Sequence, residues 1–368
     1  MSALLLCLLA SLQTGPGPTI SKDKRTSPEE IGRFSWGDAS IPIQGEGQDF
    51  AAPYDKIMTN YLRKVGAPGG ALVVYYRGKQ VYSKGFGYAD VDTQSLYEPS
   101  MASRISSVSK FLTQSAIKIL IEDGRLDKDE KIMPILKKGG IVPLTQPDPR
   151  LKDVTIQQLL DHKSGLEAGL NIGDYTSADT IKQMGLTQPL DAKQVLGVIL
   201  SRKLEADPGK TEIYSNCGYA LLGQIIEIVS GQSYETFVKE NVIAPVVKPD
   251  HWFVTTASRT DKRPTEPDYY STRSLATWDA FHWNIFQGAG GWVVPTNELA
   301  DFFQRVFPGE GWDYTLFGSY IGAVTVMKVH ESSLTYAASV NYRRGNGPND
   351  NEVLYIMLEE ATKSLTLP

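Results

Sequence analysis

The chain has 368 residues, 41% of them apolar and 21% charged, an ordinary globular composition with enough length for one large domain or two modest ones. Its net charge of -5, with no basic run interleaved with aromatics, argues against nucleic acid as a main partner. Two cysteines, Cys7 and Cys217, exclude a cysteine-type zinc site by count, none of the four histidines forms a His-Glu-x-x-His pattern, and no cofactor or metal is expected.

Residues 1–12 form an apolar run of signal-peptide length, too short to cross a membrane. Residues 1–18 are read as a cleaved leader, which predicts a secreted or periplasmic protein, with the cytoplasm as the alternative. No later segment is long and apolar enough for a stable membrane span. Residues 19–48, rich in Gly, Pro, Ser and charge, read as a linker or N-terminal tail, and one domain is expected over 49–366.

Within that domain Phe50, Tyr54, Ile57, Met58, Tyr61, Leu62 and Val65 recur at helical spacing. Two β-rich runs, 70–76 and 80–88, flank the turn Arg77-Gly78-Lys79 and predict a hairpin. Helices are predicted over 107–123 with Gly124 as C-cap, and over 154–160, 191–204, 219–231 and 234–242. Residues 251–286 are irregular and carry Trp252, Tyr269, Tyr270, Trp278, Phe281 and Trp283, a long loop of the kind that often serves function. A helix over 296–307 with Thr296 as N-cap, strands over 322–330 and 334–342, and a helix over 350–365 complete the chain. Strands at both ends predict an α+β fold: an antiparallel sheet flanked by terminal helices, with a helical region of about 105–310 inserted.

The chemistry centres on Arg104-Ile105-Ser106-Ser107-Val108-Ser109-Lys110. Ser107 and Lys110 stand three residues apart at a helix start, so hydroxyl and amine share one face. A serine alcohol is a weak nucleophile at neutral pH, and a lysine whose pKa is lowered by burial can take its proton. Unpaired N–H groups at the helix start can stabilise a developing oxyanion. The Ser-x-x-Lys spacing occurs three times, but Ser21/Lys24 lies in the polar tail and Ser115/Lys118 in mid-helix, so context selects Ser107/Lys110. Tyr214-Ser215-Asn216 is the one Tyr-x-Asn in the sequence. Its phenol could relay protons beside a lysine, and its amide could orient that lysine and a substrate carbonyl. The plainer alternative is that Tyr214 and Asn216 cap the helix that follows.

Taken together these segments resemble the serine β-lactamase and penicillin-binding-protein-like superfamily, in its class C, D-alanyl-D-alanine-carboxypeptidase and family VIII carboxylesterase branch. The resemblance runs through Pro68 to Gly78, Ile105 to Lys110, Gly124-Arg-Leu-Asp127, Leu159-Leu-Asp-His-Lys-Ser-Gly-Leu166, Pro208-Gly, Tyr214 to Tyr219 and Gly288-Ala-Gly-Gly-Trp292, over roughly residues 50–362. It implies that Ser107 is the acylated nucleophile, Lys110 its proton partner, Tyr214 the general base and Asn216 a positioning group. His162 is assigned a structural part, supporting the turn at Ser164-Gly165.

The third motif of the superfamily, Lys-Thr-Gly or His-x-Gly on a strand beside the site, aligns with Leu316-Phe317-Gly318-Ser319. The glycine is kept, so Gly318 permits a close backbone approach and the Ser319 N–H is assigned as second oxyanion donor. The cation that attracts a substrate carboxylate is replaced by Leu316. Neutral esters, amides or β-lactams are therefore expected as small-molecule substrates, with weak recognition of carboxylate-terminal peptides. Three readings stand: a carboxylesterase or β-lactamase-like serine hydrolase, a peptidase acting on D-amino-acid peptides, and a non-catalytic scaffold on the same fold.

Overall fold

Arg77 and Gly78 both adopt positive φ, 48° and 77°. A two-residue turn of this hand matches strand twist, and it closes the hairpin of β2 (Gly69–Tyr76) and β3 (Lys79–Asp90). The computed structural model of the protein describes residues 34–167, 177–187, 190–255, 262–271, 274–275, 283–344 and 349–368. The leader of 1–18, the first part of the tail, Ser21/Lys24, and Trp278 and Phe281 of the aromatic stretch lie outside the described residues.

Around the hairpin an antiparallel sheet assembles from both ends of the chain. Its order is β1 (Ile43–Gly47), β3, β2, β12 (Leu334–Val340), β11 (Ala323–Val329) and β10 (Tyr314–Tyr320), so β10 lies at one edge. β1 pairs with β3 from Ile43 opposite Phe86 to Gly47 opposite Tyr82, so the end of the expected linker is an edge strand. Its register sets no apolar face, since four of its five residues are exposed, and periodicity could not reveal it.

Both faces of the sheet are covered, which explains why β2 reads as an unbroken apolar run. Leu72 and Val74 pack with α1 (Pro53–Val65) through Tyr54, Met58 and Leu62, and with the C-terminal helix Asp350–Ser364 through Leu354 and Leu358. Val73, Met327 and Ala337 point the other way, into a larger core built by the helices between β5 (Ala102–Arg104) and β10. These are α2 (Ser109–Glu122), α3 (Ile132–Lys138), α4 (Ile156–Leu160), α5 (Ala178–Gln183), α6 (Ala192–Leu200), α7 (Asn216–Ser230), α8 (Tyr234–Val238), α9 (Trp283–Gly290) and α10 (Thr296–Val306); the C-terminal helix is α11. The expected α+β fold, with an antiparallel sheet, flanking helices and helices between, is the observed one.

Several boundaries differ for local reasons. The first turn of the helix expected from residue 107 is a 3-10 turn, Ser106–Val108, before α2. α7 begins at Asn216 rather than 219, because Ser215 Oγ accepts the Gly218 N–H at 3.0 Å and caps it; neither Tyr214 nor Asn216 is the cap. Thr296 is not an N-cap: β9 (Trp292–Pro295) runs straight into α10, and the Pro295 cap position makes no side-chain bond. The irregular stretch contains β6 (Phe253–Val254), β7 (Tyr270–Ser271) and β8 (Ser274–Leu275), and its end is the start of α9.

At Gly318 the sheet makes a close approach to the helical region. A Cβ built on Gly318 would lie 2.1 Å from the Ile105 carbonyl oxygen, so only glycine lets β10 approach the 105–108 turn this closely. Gly318→Ala is expected to cost about 1–3 kcal/mol by overpacking. Thermal unfolding should show a lower midpoint than wild type, whereas an unchanged midpoint would mean that the strand can give way freely.

Candidate functional site

The approach to Ser107 starts at β5, which pairs antiparallel with β9, after which the Ile105 N–H donates to the Trp292 carbonyl at 3.0 Å. Ser106 then takes φ +48°, a left-handed conformation unusual for a residue with a side chain. Its hydroxyl is buried without a hydrogen-bond partner among the described residues. This bend throws Ser107 into the 3-10 turn ahead of α2 and leaves it half-buried.

Four of the expected residues meet through direct hydrogen bonds. Tyr214 Oη donates to Ser107 Oγ at 2.7 Å, and Lys110 Nζ donates to the same oxygen at 3.2 Å. Lys110 Nζ also donates to Asn216 Oδ1 at 2.8 Å and to the Ala289 carbonyl at 2.6 Å. It sits 4.8 Å from the centre of the Tyr214 ring and 5.4 Å from that of Tyr219. Lys110 is 7% exposed. Burial lowers its pKa, partly offset by Tyr214.

The bonding inventory fits either protonation state. The two carbonyl oxygens can only accept, so they take two N–H groups. In the neutral amine the remaining lone pair then faces Ser107 Oγ and can receive its proton; in the ammonium a third N–H donates there. The arrangement can therefore hold a serine hydroxyl beside a base, with Tyr214 as a second proton carrier on the same oxygen.

Gly318 reaches the turn that carries Ser107, as its approach to Ile105 requires. Leu316, Gly318 and Tyr320 alternate onto one face of β10, and Leu316 and Tyr320 pack against the core of the helical region. Leu316, which the sequence aligns with the superfamily's cation, thus lies on an apolar face. Ser319 points to the opposite face, and its hydroxyl has no hydrogen-bond partner among the described residues. Only its backbone is available to the role expected of it.

Sequence reasoning missed the Ala289 carbonyl. Gly288-Ala-Gly-Gly was visible as a motif, and its signal was the glycine itself: a Cβ on Gly288 would lie 2.6 Å from the Tyr219 carbonyl, so α9 packs closely on α7. The loop is then held from beneath. Thr113 Oγ1 donates to the Gly288 carbonyl at 2.7 Å and shares a 2.7 Å hydrogen bond with Tyr234 Oη, which also accepts from Trp292 Nε1 at 3.0 Å. No single-residue pattern announces such a network.

The ring of His162 reaches the Tyr214 segment. Its Nδ1 accepts the Ser215 N–H at 3.0 Å, and its ring lies against those of Tyr214 and Tyr219. Burial, reinforced by the charge of Lys110, pushes its pKa down to about 3. Among the described residues no group of three or more His, Cys, Asp or Glu is placed to hold a metal, and no helix is long and apolar enough to cross a membrane.

The family model described as Beta-lactamase matches residues 54–340. Protein flp of Staphylococcus aureus (strain N315) is 30% identical over 195 residues, which are 52% of this chain and 36% of that protein. The chain thus spans about a third of the length of the curated relative it matches. Among solved structures, the octameric penicillin-binding protein homologue from Pyrococcus abyssi is 21% identical with a TM-score of 0.64, over 86% of this chain and 79% of that one. D-amino acid amidase from Ochrobactrum anthropi SV3 is 17% identical with a TM-score of 0.65, over 86% and 98%.

Burial of Lys110 has a consequence for stability. Between its lowered folded pKa and about 10.4, the unfolded chain binds a proton that the folded chain does not. Stability from this group is therefore complete above that window and is lost as pH falls through it. In denaturant titrations the wild-type midpoint should climb relative to that of Lys110→Met as pH rises toward about 10.4. A constant difference would mean that Lys110 ionises like an exposed lysine.

Proposed function

The chain belongs to the Beta-lactamase family, within the serine β-lactamase and penicillin-binding-protein-like superfamily, and from this premise we propose that it is a serine hydrolase acting through an acyl-enzyme on Ser107. The observation that carries the reading is the Ser107 hydroxyl bonded to Tyr214 at 2.7 Å and to Lys110 at 3.2 Å. In the forward step Ser107 Oγ attacks the substrate carbonyl carbon while its proton passes to Lys110. The oxyanion that forms is met by the N–H of Ser107 and that of Ser319. The carbonyl–leaving-group bond then breaks, Tyr214 protonates the leaving oxygen or nitrogen, and Lys110 returns a proton to Tyr214. Water attacks the acyl-enzyme while Tyr214 takes its proton and hands its own to neutral Lys110; the acyl bond to Ser107 Oγ then breaks, Tyr214 returns a proton to that oxygen and Lys110 returns one to Tyr214. Asn216 and the Ala289 carbonyl hold Lys110 in place through this cycle.

The substrate class follows from β10. With Leu316 where the superfamily carries a cation, a substrate carboxylate has no partner at that position. Tyr214, bonded to Ser107 and 45% exposed, adds an aromatic ring beside the nucleophile. Small neutral esters, amides or β-lactams fit this surface better than peptides ending in a carboxylate. A D-amino-acid peptidase would use the same Ser107, Lys110 and Tyr214, and the apolar Leu316 counts against it. A non-catalytic scaffold would have no use for the hydrogen-bonded Ser107, Lys110, Tyr214 and Asn216.

Ser107→Ala should lower p-nitrophenyl butyrate turnover by at least about a thousandfold and abolish the fluorophosphonate adduct seen by intact mass. Equal rates in wild type and variant would sink the assignment. Leu316→Lys should speed acylation by benzylpenicillin about tenfold, the equivalent of one added charge-assisted contact. Efficient acylation of the wild type, unimproved by the lysine, would refute the substrate argument.

A further inference from the structure

His162 grips the chain on both sides of Tyr214. Its carbonyl accepts the Ile213 N–H at 2.7 Å, and its Nδ1 accepts the Ser215 N–H at 3.0 Å. Its ring lies against two tyrosines, 4.6 Å from the centre of Tyr214 at 32° and 4.9 Å from that of Tyr219 at 35°. Tyr219 is itself fixed, with its hydroxyl donating to the Leu160 carbonyl at 3.1 Å. Tyr214, by contrast, is 45% exposed, so solvent rather than packing meets its outer side.

We propose that His162 is the positioning residue for Tyr214: it clamps the backbone before and after the tyrosine and backs its ring, so that the phenol oxygen stays within hydrogen-bond reach of Ser107. The proposal rests on the reading of Ser107 and Tyr214 as the reacting pair for its kinetic consequences, though not for its structural one.

Three features support it. First, the clamp requires a lone pair on Nδ1, which places the imidazole proton on Nε2; a doubly protonated ring would set two N–H groups against each other and release Ser215. The ring's burial keeps it neutral. Second, His162 sits at φ +56°, where glycine or asparagine is the relaxed choice. A strained residue with a large side chain is retained where that side chain is used. Third, Ser215 carries two loads at once. Its N–H is held by His162, while its Oγ accepts from Gly218 as the cap of α7 and donates to the Glu167 carbonyl at 2.7 Å. The helix that delivers Asn216 to Lys110 and the residue that delivers Tyr214 to Ser107 are thus tied at one point.

The test uses the full chain with Asn, Ala and Phe at position 162. His162→Asn suits the left-handed backbone and offers Oδ1 in place of Nδ1 but removes the ring; His162→Ala removes both; His162→Phe keeps a ring and removes the acceptor. With p-nitrophenyl butyrate, His162→Ala should lower kcat about a hundredfold, the size of a lost acid–base group, with KM within about twofold, and His162→Asn should recover most of the loss. In a cycle with Tyr214→Phe, adding His162→Ala should cost less than about threefold further, because the residue acts through the phenol already removed. Additive losses would mark a general structural role and overturn the proposal, as would wild-type kcat in the alanine variant. If the alanine variant does not fold, His162→Phe takes its place in the cycle. Crystal structures give an outcome independent of turnover: the Tyr214 Oη–Ser107 Oγ contact should persist in His162→Asn and open in His162→Ala. A contact kept in His162→Ala would refute the clamp even if the hydrolase reading stood, whereas equal turnover by wild type and Ser107→Ala would defeat the hydrolase reading alone.

Discussion

A lysine amine taken out of water must find partners for its N–H groups, and the fold around Lys110 is arranged to meet that demand. Its Nζ reaches Ser107 Oγ on the preceding turn, Asn216 Oδ1 on α7 and the Ala289 carbonyl on α9. Three separate stretches of chain therefore converge on one atom. An unpaired buried amine would cost several kcal/mol, so a displacement of either helix is opposed by Lys110 itself. The same burial that lowers the pKa of Lys110 makes it a plausible proton acceptor in the proposed reaction. Stability and chemistry draw on one arrangement.

Around this amine, close approaches and strained backbone set the remaining distances. Gly318 lets the edge strand β10 touch the turn carrying Ser107, and Gly288 lets α9 touch α7. Ser106 and His162 hold positive φ, one beside Ser107 and the other against Tyr214. Such conformations persist because the surrounding contacts over-determine them. Behind α9, Thr113, Tyr234 and Trp292 form a hydrogen-bonded support that holds the Gly288 carbonyl.

Much of this was legible from residue order, for identifiable reasons. The hairpin of β2 and β3 announced itself because a long apolar run, a turn with Gly78 and a second run leave few alternatives. Ser107 and Lys110 could be paired because three residues on a helix place side chains on one face, a purely local rule. β1 was hidden because most of its residues face solvent, so no alternation marks it. Thr296 was misread as a cap because its residue type suits a cap, while the strand running directly into α10 leaves no loop for one. The ring partners of His162 stayed hidden because they lie some fifty residues along the chain.

By itself, the sequence determined the α+β class, the longer helices and the strands near 70–76, 80–88, 322–330 and 334–342, and the residue types that could meet at the site. These depend on local periodicity and on short-range spacing, which the chain states directly. Only the tertiary structure decided that Tyr214 reaches the same oxygen as Lys110, that a main-chain carbonyl at Ala289 completes the amine's partners, and that His162 lies beneath Tyr214. A backbone carbonyl carries no residue-type signal, and a ring stacked from a distant segment leaves no spacing to read. Those facts arise where independently folded segments pack, and packing geometry is a property of the whole chain.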